Sequence, residues 1–309
     1  MDGSHFGLTR RPFSETPDSE CYYPATGHER ALASLLQAIS SGDGIALLTG
    51  DVGLGKTLLC HQLLERLDPE IATIFLTNTH FRDRAGLLQA LLYDLSLPYE
   101  GLSEQELRLK LTDVSLKRYA EGRRTLLLID EAQLVAADLL EELRLWGNLE
   151  ARGRKAVQVV LVAHPRIAET LRQPKLESLS QRLVARARLE PLNEHESADY
   201  VVHHLRAAGG HPEKILTDEA LDILARGARG VPRLLNQACH RALTLADSAG
   251  ATCVDAEAAL EALAALGLAE EPEDLPGPAA KPAGRNGQTS TNGIEPAGKN
   301  GHLPRAEQE

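Results

Sequence analysis

The chain has 309 residues, enough to bury a full core and to hold one large domain with a smaller one or a tail. A formal charge of -11 opposes non-specific adhesion to DNA or anionic lipid, and aromatics at 4% leave few platforms on which single-stranded nucleic acid could stack. Cys21, Cys60, Cys239 and Cys253 form no CxxC pair, no apolar run reaches the roughly 18–20 residues of a membrane span, and the N-terminus lacks a signal-peptide layout. Zinc binding, a disulfide framework and direct membrane insertion are therefore not expected, and the expected location is the cytoplasm.

Residues 1–27 mix Pro and Gly with Phe6, Phe13, Tyr22 and Tyr23, a composition that predicts an ordered irregular segment packed on the domain that follows. A helix is expected from His28 to about Ser41, then a short apolar strand ending at Gly50, then a Leu-rich helix to about Leu67. Further strands are predicted near Ile71–Thr77, Thr125–Asp130, Val157–Ala163 and Val184–Leu192, with helical stretches between them. Continuously apolar strands alternating with helices predict a five-stranded parallel sheet covered on both faces, an α/β domain over 28–192. Beyond Pro191 the patterns turn helical, at Glu194–Ala208, Asp218–Ala228, Pro232–Ser248 and Asp255 to about Leu266, predicting a small all-helical domain over 193–268. The stretch 269–309 is rich in Pro, Gly, Asn and Ala and is expected to be a disordered tail. It carries a short echo, Pro282-Ala-Gly-Arg-Asn-Gly against Pro296-Ala-Gly-Lys-Asn-Gly, too brief for a repeat fold.

The first strand leads into Gly50-Asp51-Val52-Gly53-Leu54-Gly55-Lys56-Thr57, which fits the phosphate-loop pattern G-x-x-x-x-G-K-[ST] in the required strand-to-helix context, with Leu58 next in the helix. Glycines let the loop wind closely around an anion, so that main-chain N–H groups and a helix N-terminus face it. Lys56 is expected to reach the β and γ phosphates of ATP, and Thr57 to offer its hydroxyl to Mg2+.

A second motif is the apolar strand Thr125-Leu-Leu-Leu-Ile, which delivers Asp130 and Glu131 at its C-terminal end, where open parallel sheets bind ligands. Asp130 is expected to hold Mg2+ and Glu131 to orient and deprotonate the attacking water. Kinases share much of this equipment, but a fixed second carboxylate favours water over a hydroxyl substrate.

With these motifs in place, the sequence resembles the AAA+ ATPases of the general secretion pathway protein A (ExeA-like) group, from about Phe6 to Leu266. The likeness rests on Phe6-Gly-Leu with Pro12-Phe13-Ser and Thr16-Pro17-Asp18, on Leu48–Thr57, and on Leu128-Ile-Asp-Glu-Ala-Gln133. Leu140–Arg144, Asn148–Glu150, Gln181-Arg182, Leu189–Leu192 and Gly230-Val-Pro-Arg233 extend it. The resemblance implies a P-loop AAA+ domain with a helical lid, and it implies that Arg233 senses the γ phosphate from that lid. It further implies that Arg182, with Arg172, Arg186 and Arg188 nearby, is an arginine finger offered to a neighbouring subunit, hence a homo-oligomer. Tyr22, Tyr23 and His28 resemble the adenine-side residues. Where the family reads Gly-Gln-Pro-Glu, this chain has Ala163-His164-Pro165-Arg166, which makes His164 the candidate polar sensor, with a pH dependence an amide lacks. Secretion members continue into a membrane span and a periplasmic part, whereas the present sequence runs into a polar tail. The implied role is a switch or motor for secretion or envelope assembly through a protein or membrane-assembly partner. The alternative is an ATP-dependent DNA-binding helper of the transposition-regulator type, which the acidic charge disfavours.

His195, His203, His204, His211 and His240 are expected to be solvated or core residues, because adjacent helical positions such as 203 and 204 diverge by about 100° rather than converging on a metal. The basic turn Ala151-Arg-Gly-Arg-Lys155 is expected to be a solvated loop.

Overall fold

The computed structural model describes residues 6–268 apart from 15, 17, 43, 152 and 153; the tail and its echo lie outside the described residues, as do Pro17 of the opening phrase and the tip of the basic turn. The α/β part runs α1 (Thr26–Ser41), β1 (Ile45–Thr49), α2 (Lys56–Glu65), β2 (Ala72–Leu76), α3 (Arg84–Asp94), α4 (Glu104–Ala120), β3 (Thr125–Ile129) and α5 (Ala137–Trp146). It continues through the two-residue strands β4 (Glu150–Ala151) and β5 (Arg154–Lys155), then β6 (Val157–Ala163), α6 (Ile167–Leu171), α7 (Glu177–Ser180) and β7 (Leu183–Arg188). The helical part comprises α8 (Glu194–Ala207), α9 (Pro212–Ile215), α10 (Asp218–Gly227), α11 (Pro232–Ser248) and α12 (Ala256–Ala265).

Five strands form one parallel sheet in the order β2-β3-β6-β1-β7. Every residue of β3 and β6 is buried, because helices cover both faces and leave no solvent side on which a polar residue would be favoured. On one face Ile45, Leu47, Leu127, Ile129, Val159 and Leu161 pack with Leu-rich α3 and α5. On the other, Ala46, Leu48, Leu126, Leu128, Val160 and Val162 meet Leu32, Leu35 and Ile39 of α1 and Leu59 and Leu63 of α2. The alternation of neighbouring residues between the two clusters is the period-2 geometry of a strand.

The last strand is shorter than the predicted Val184–Leu192. Leu189 still donates its N–H to Thr49 O (2.7 Å), but the chain leaves the sheet at Glu190-Pro191, and Leu192 donates instead to Gly230 O (2.8 Å) at the start of the lid. The basic turn is a hairpin arm, β4 paired antiparallel with β5 and braced by an ion pair between Lys155 and Glu150.

The helical part has its own core, in which Tyr200, Val201 and Leu205 of α8 meet Leu224, Leu235, Leu243 and Leu263. Expected on the α/β core, the N-terminal segment instead seats Phe6, Leu8 and Phe13 in this lid cluster. Main-chain and side-chain hydrogen bonds fasten it there: Thr9 N to Ala208 O (2.9 Å), Arg10 Nε to Ala207 O (3.1 Å) and Asn236 Nδ2 to Ser14 O (3.0 Å). The reason is apolar match: the rings and Leu8 join the helical cluster, where Phe13 stacks on the His204 ring. Its later part, around Tyr22, turns to the α1–α2 face of the sheet.

Candidate active site

The strand order places the C-terminal ends of β3, β6 and β1 side by side, and each end carries functional groups: Asp130 and Glu131 after β3, His164 after β6, and the phosphate loop after β1. Gly53 and Gly55 take φ of 85° and 86°, the left-handed region that a side chain disfavours, and so bend the loop back onto α2. Gly55 caps α2 without a side-chain acceptor, which leaves the first-turn N–H groups of the helix for an anion. Lys56 is buried, and its ammonium donates to Asp51 O (3.0 Å), so that the loop is closed on its own lysine. His28, from α1, contacts Leu54 O through Nε2 (2.8 Å); burial pushes its pKa down, which makes a neutral imidazole donating to that carbonyl the consistent form.

Thr57 Oγ1 donates to Asp130 Oδ2 at 2.5 Å, while Asp130 Oδ1 accepts the N–H of Glu131 (2.8 Å). The hydroxyl of one motif thus meets the carboxylate of the other across 73 residues of sequence. Glu131 itself has φ 50° and ψ 38°, a left-handed conformation for a residue with a side chain, which costs roughly 1 kcal/mol or more and has to be held by its surroundings. Thr79, after β2, contributes by donating to Glu131 O (3.4 Å). The Glu131 carboxylate accepts from Gln133 Nε2.

A cleft opens above these groups, lined on the core side by Val52, Gly53, Gly55, Lys56, Thr57, Leu58 and Glu131 and on the lid side by Tyr200, His204, Arg233 and Asn236. Arg11, Pro12, Asp18 and Cys21 of the N-terminal segment complete the wall. Three cations, Arg11, Lys56 and Arg233, face two carboxylates, Asp18 and Glu131, giving the acidic chain a locally basic pocket. His204 stacks on Phe13, lies tilted against Tyr200 and contacts Pro12 O through Nδ1 (3.0 Å); burial lowers its pKa to about 4.

The structure brings most of the predicted residues together. Arg233 donates its main-chain N–H to Gly53 O (3.2 Å), and its side chain faces the cleft. Leu54 has its side chain in the core, and Gly50 gives its N–H to Ala163 O (3.2 Å), so these two shape the loop from behind. His164 Nε2 lies 3.3 Å from Asp51 Oδ1. Tyr22 hydrogen-bonds Glu29 (2.9 Å) and Tyr23 packs edge-on to Tyr200, so neither lines the cleft. Arg182 is not brought to this site: its carbonyl accepts from Ile45 N (2.9 Å) at the entry end of β1, the far end of the sheet, and its guanidinium holds Asn148. Sequence reasoning gave no role to Gln133, Thr79, Tyr200, His204 or Asn236. Only Gln133 carried a signal, its place two residues after Glu131 in the motif Leu128-Ile-Asp-Glu-Ala-Gln133.

Fold and phosphate loop together define the P-loop AAA+ fold. An AAA domain family model matches residues 39–171. The chain is related to General secretion pathway protein A of Aeromonas hydrophila, with 38% identity over 268 residues, 86% of this chain and 49% of the relative, so it spans about half that protein's length. Among solved structures, the ORC2 protein of Aeropyrum pernix in its ADPNP-ADP complexes superposes with a TM-score of 0.66 at 18% identity, covering 84% of this chain and 72% of that one. Drosophila ORC bound to DNA gives a TM-score of 0.64 at 18% identity, covering 83% and 64%. At such identity these two share the fold. Among the described residues, no helix is long and apolar enough to cross a membrane.

Proposed function

We propose that this chain binds ATP with Mg2+, hydrolyses the γ phosphate, and works as a homo-oligomeric switch or motor on a secretion or envelope-type assembly from the cytoplasmic side. The carrying observation is the 2.5 Å contact between Thr57 and Asp130, with Glu131 next in the chain and Arg233 on the opposite wall. A hydroxyl and a carboxylate are hard oxygen donors that fit Mg2+, and Thr57 and Asp130 would hold it. Bound there, Mg2+ supplies charge neutralisation on the phosphate oxygens.

The residues around it divide the remaining work. Lys56 exchanges its Asp51 carbonyl for phosphate oxygens, and the N–H groups of the loop and of α2 receive the rest of the anion. Glu131 takes the proton of the attacking water. Arg233 reports phosphate occupancy to the lid, and His164 does so at the end of β6. Arg182, exposed at the far end of the sheet, is free of any task in its own subunit's cleft, which supports its use in a neighbour's site and hence an oligomer. The relative's name supports a secretion client. Structural likeness to a DNA-bound protein at 18% identity carries the fold alone and lends the DNA-helper alternative no weight.

The test is Glu131→Gln. Steady-state phosphate release should fall about 100-fold or more while Mg-dependent binding of labelled ATP stays within a few-fold; undiminished turnover removes Glu131 from the mechanism.

A further inference from the structure

Gln133 is bound at both ends of its side-chain amide. Its Oε1 accepts the main-chain N–H of His164 (2.8 Å), and its Nε2 donates to Glu131 Oε2. A peptide N–H can only donate, so the atom facing His164 has to be the oxygen, and the NH2 has to face Glu131. The amide therefore presents its donor to the carboxylate oxygen and its acceptor to the end of β6.

The contact extends further. His164 Nδ1 accepts the N–H of Arg166 (3.2 Å), so in a neutral ring the proton sits on Nε2, 3.3 Å from Asp51 Oδ1 at the start of the phosphate loop. Because β6 lies between β3 and β1, this series crosses the sheet from strand end to strand end: Glu131, Gln133, His164 through its main-chain N–H on one side and its ring on the other, Asp51. Glu131 needs such support. Its backbone is left-handed, and among the described residues the only side-chain donor on its carboxylate is Gln133.

Building on the hydrolytic reading of Glu131 above, we infer that Gln133 is the positioning residue that aims the Glu131 carboxylate and ties it, through the end of β6, to the loop that grips the phosphates. Gln133 is half-buried at a turn of three residues, Ala132–Leu134, which is short enough to fold its side chain back on residue 131. It does not line the cleft, so its effect passes through Glu131.

The test uses the full chain and compares wild type, Glu131→Gln, Gln133→Ala, Gln133→Glu and the double variant Glu131→Gln/Gln133→Ala. Each is measured by steady-state ATP hydrolysis, titration with a fluorescent ATP analogue in Mg2+, and thermal unfolding. Gln133→Ala should lower kcat about tenfold or more with KM and analogue affinity within about twofold, the pattern of a lost transition-state interaction. Gln133→Glu keeps the length and the acceptor for His164 but loses the donor, so it should fall at least as far. Adding Gln133→Ala to Glu131→Gln should cause no further loss, since a group acting through Glu131 has nothing left to aim. A kcat within twofold of wild type in Gln133→Glu, or a further drop in the double variant, overturns the inference while leaving the ATPase reading intact. A wild-type chain that binds nucleotide without turning it over defeats both readings, and a variant whose losses track its melting temperature defeats this one.

Discussion

The two walls of the cleft are built differently. On the core wall, Lys56 and Asp130 are 6% and 3% exposed; Asp130 directly follows β3, Lys56 opens α2 after the loop from β1, and both strands are paired on each side. On the lid wall, Arg233 is exposed, and the surface is assembled from α8, α11 and the N-terminal segment, which share a separate apolar core. Main-chain links between the walls include Leu192 N to Gly230 O (2.8 Å) and Arg233 N to Gly53 O (3.2 Å). Lys56 and the carboxylates thus stand on the densely paired element, while Arg233, the proposed sensor, stands on the separately packed one. The first part of the N-terminal segment, from Phe6 to Phe13, belongs to the second wall and should travel with it.

This contrast can be broken at the joint. Gly230 has φ 71°, and a Cβ there would lie 2.0 Å from Leu192 O, a backbone atom with no flexible end to yield. Gly230→Ala should therefore cost about 2–4 kcal/mol, from left-handed strain plus overpacking, and lower the melting temperature by several degrees. A melting temperature within a degree of wild type would show that the joint is loose.

A pH series probes the attachment of the N-terminal segment. The folded pKa of His204 lies near 4, below the ordinary value of 6.5, because burial among Phe13 and Tyr200 disfavours the imidazolium. An unfolded chain therefore binds the proton more readily between these values. The contribution is complete above pH 6.5 and is lost as pH falls towards 4, amounting to about 2–3 kcal/mol. His204→Asn, which retains a donor for Pro12 O, should show a flatter stability profile across that window in chemical denaturation. Parallel profiles would mean that His204 is solvated in the folded chain.

The smallest expected effect on stability is at Arg233. Arg233→Ala should change the unfolding free energy by less than about 0.5 kcal/mol, as for an exposed residue, yet reduce ATP turnover about tenfold. A large stability loss would make its side chain a structural clasp rather than a sensor.

Much of the core wall was legible before folding. Gly50–Thr57 is one uninterrupted segment whose pattern is read from consecutive residues, and the apolar strand before Asp130 announced its sheet position by composition. The lid wall was not, because its residues come from places nearly 200 positions apart, such as Pro12 and His204. Placement of the N-terminal segment was misjudged for the same reason: its aromatic residues reveal that it packs, not on what. The β4–β5 hairpin escaped because two-residue strands leave no periodicity to read.

By itself, then, the sequence determined the phosphate loop, the carboxylate pair, the alternation of strands and helices, and the change to an all-helical part near 192. These are local properties, fixed by backbone freedom at glycine, by apolar period and by residues adjacent in the chain. Tertiary structure alone decided that β6 lies between β3 and β1, bringing Gln133 and His164 between the acids and the loop, and that Arg182 stands at the opposite end of the sheet from its own cleft. Strand order arises from how covered faces share one core, and no short stretch of residues encodes that.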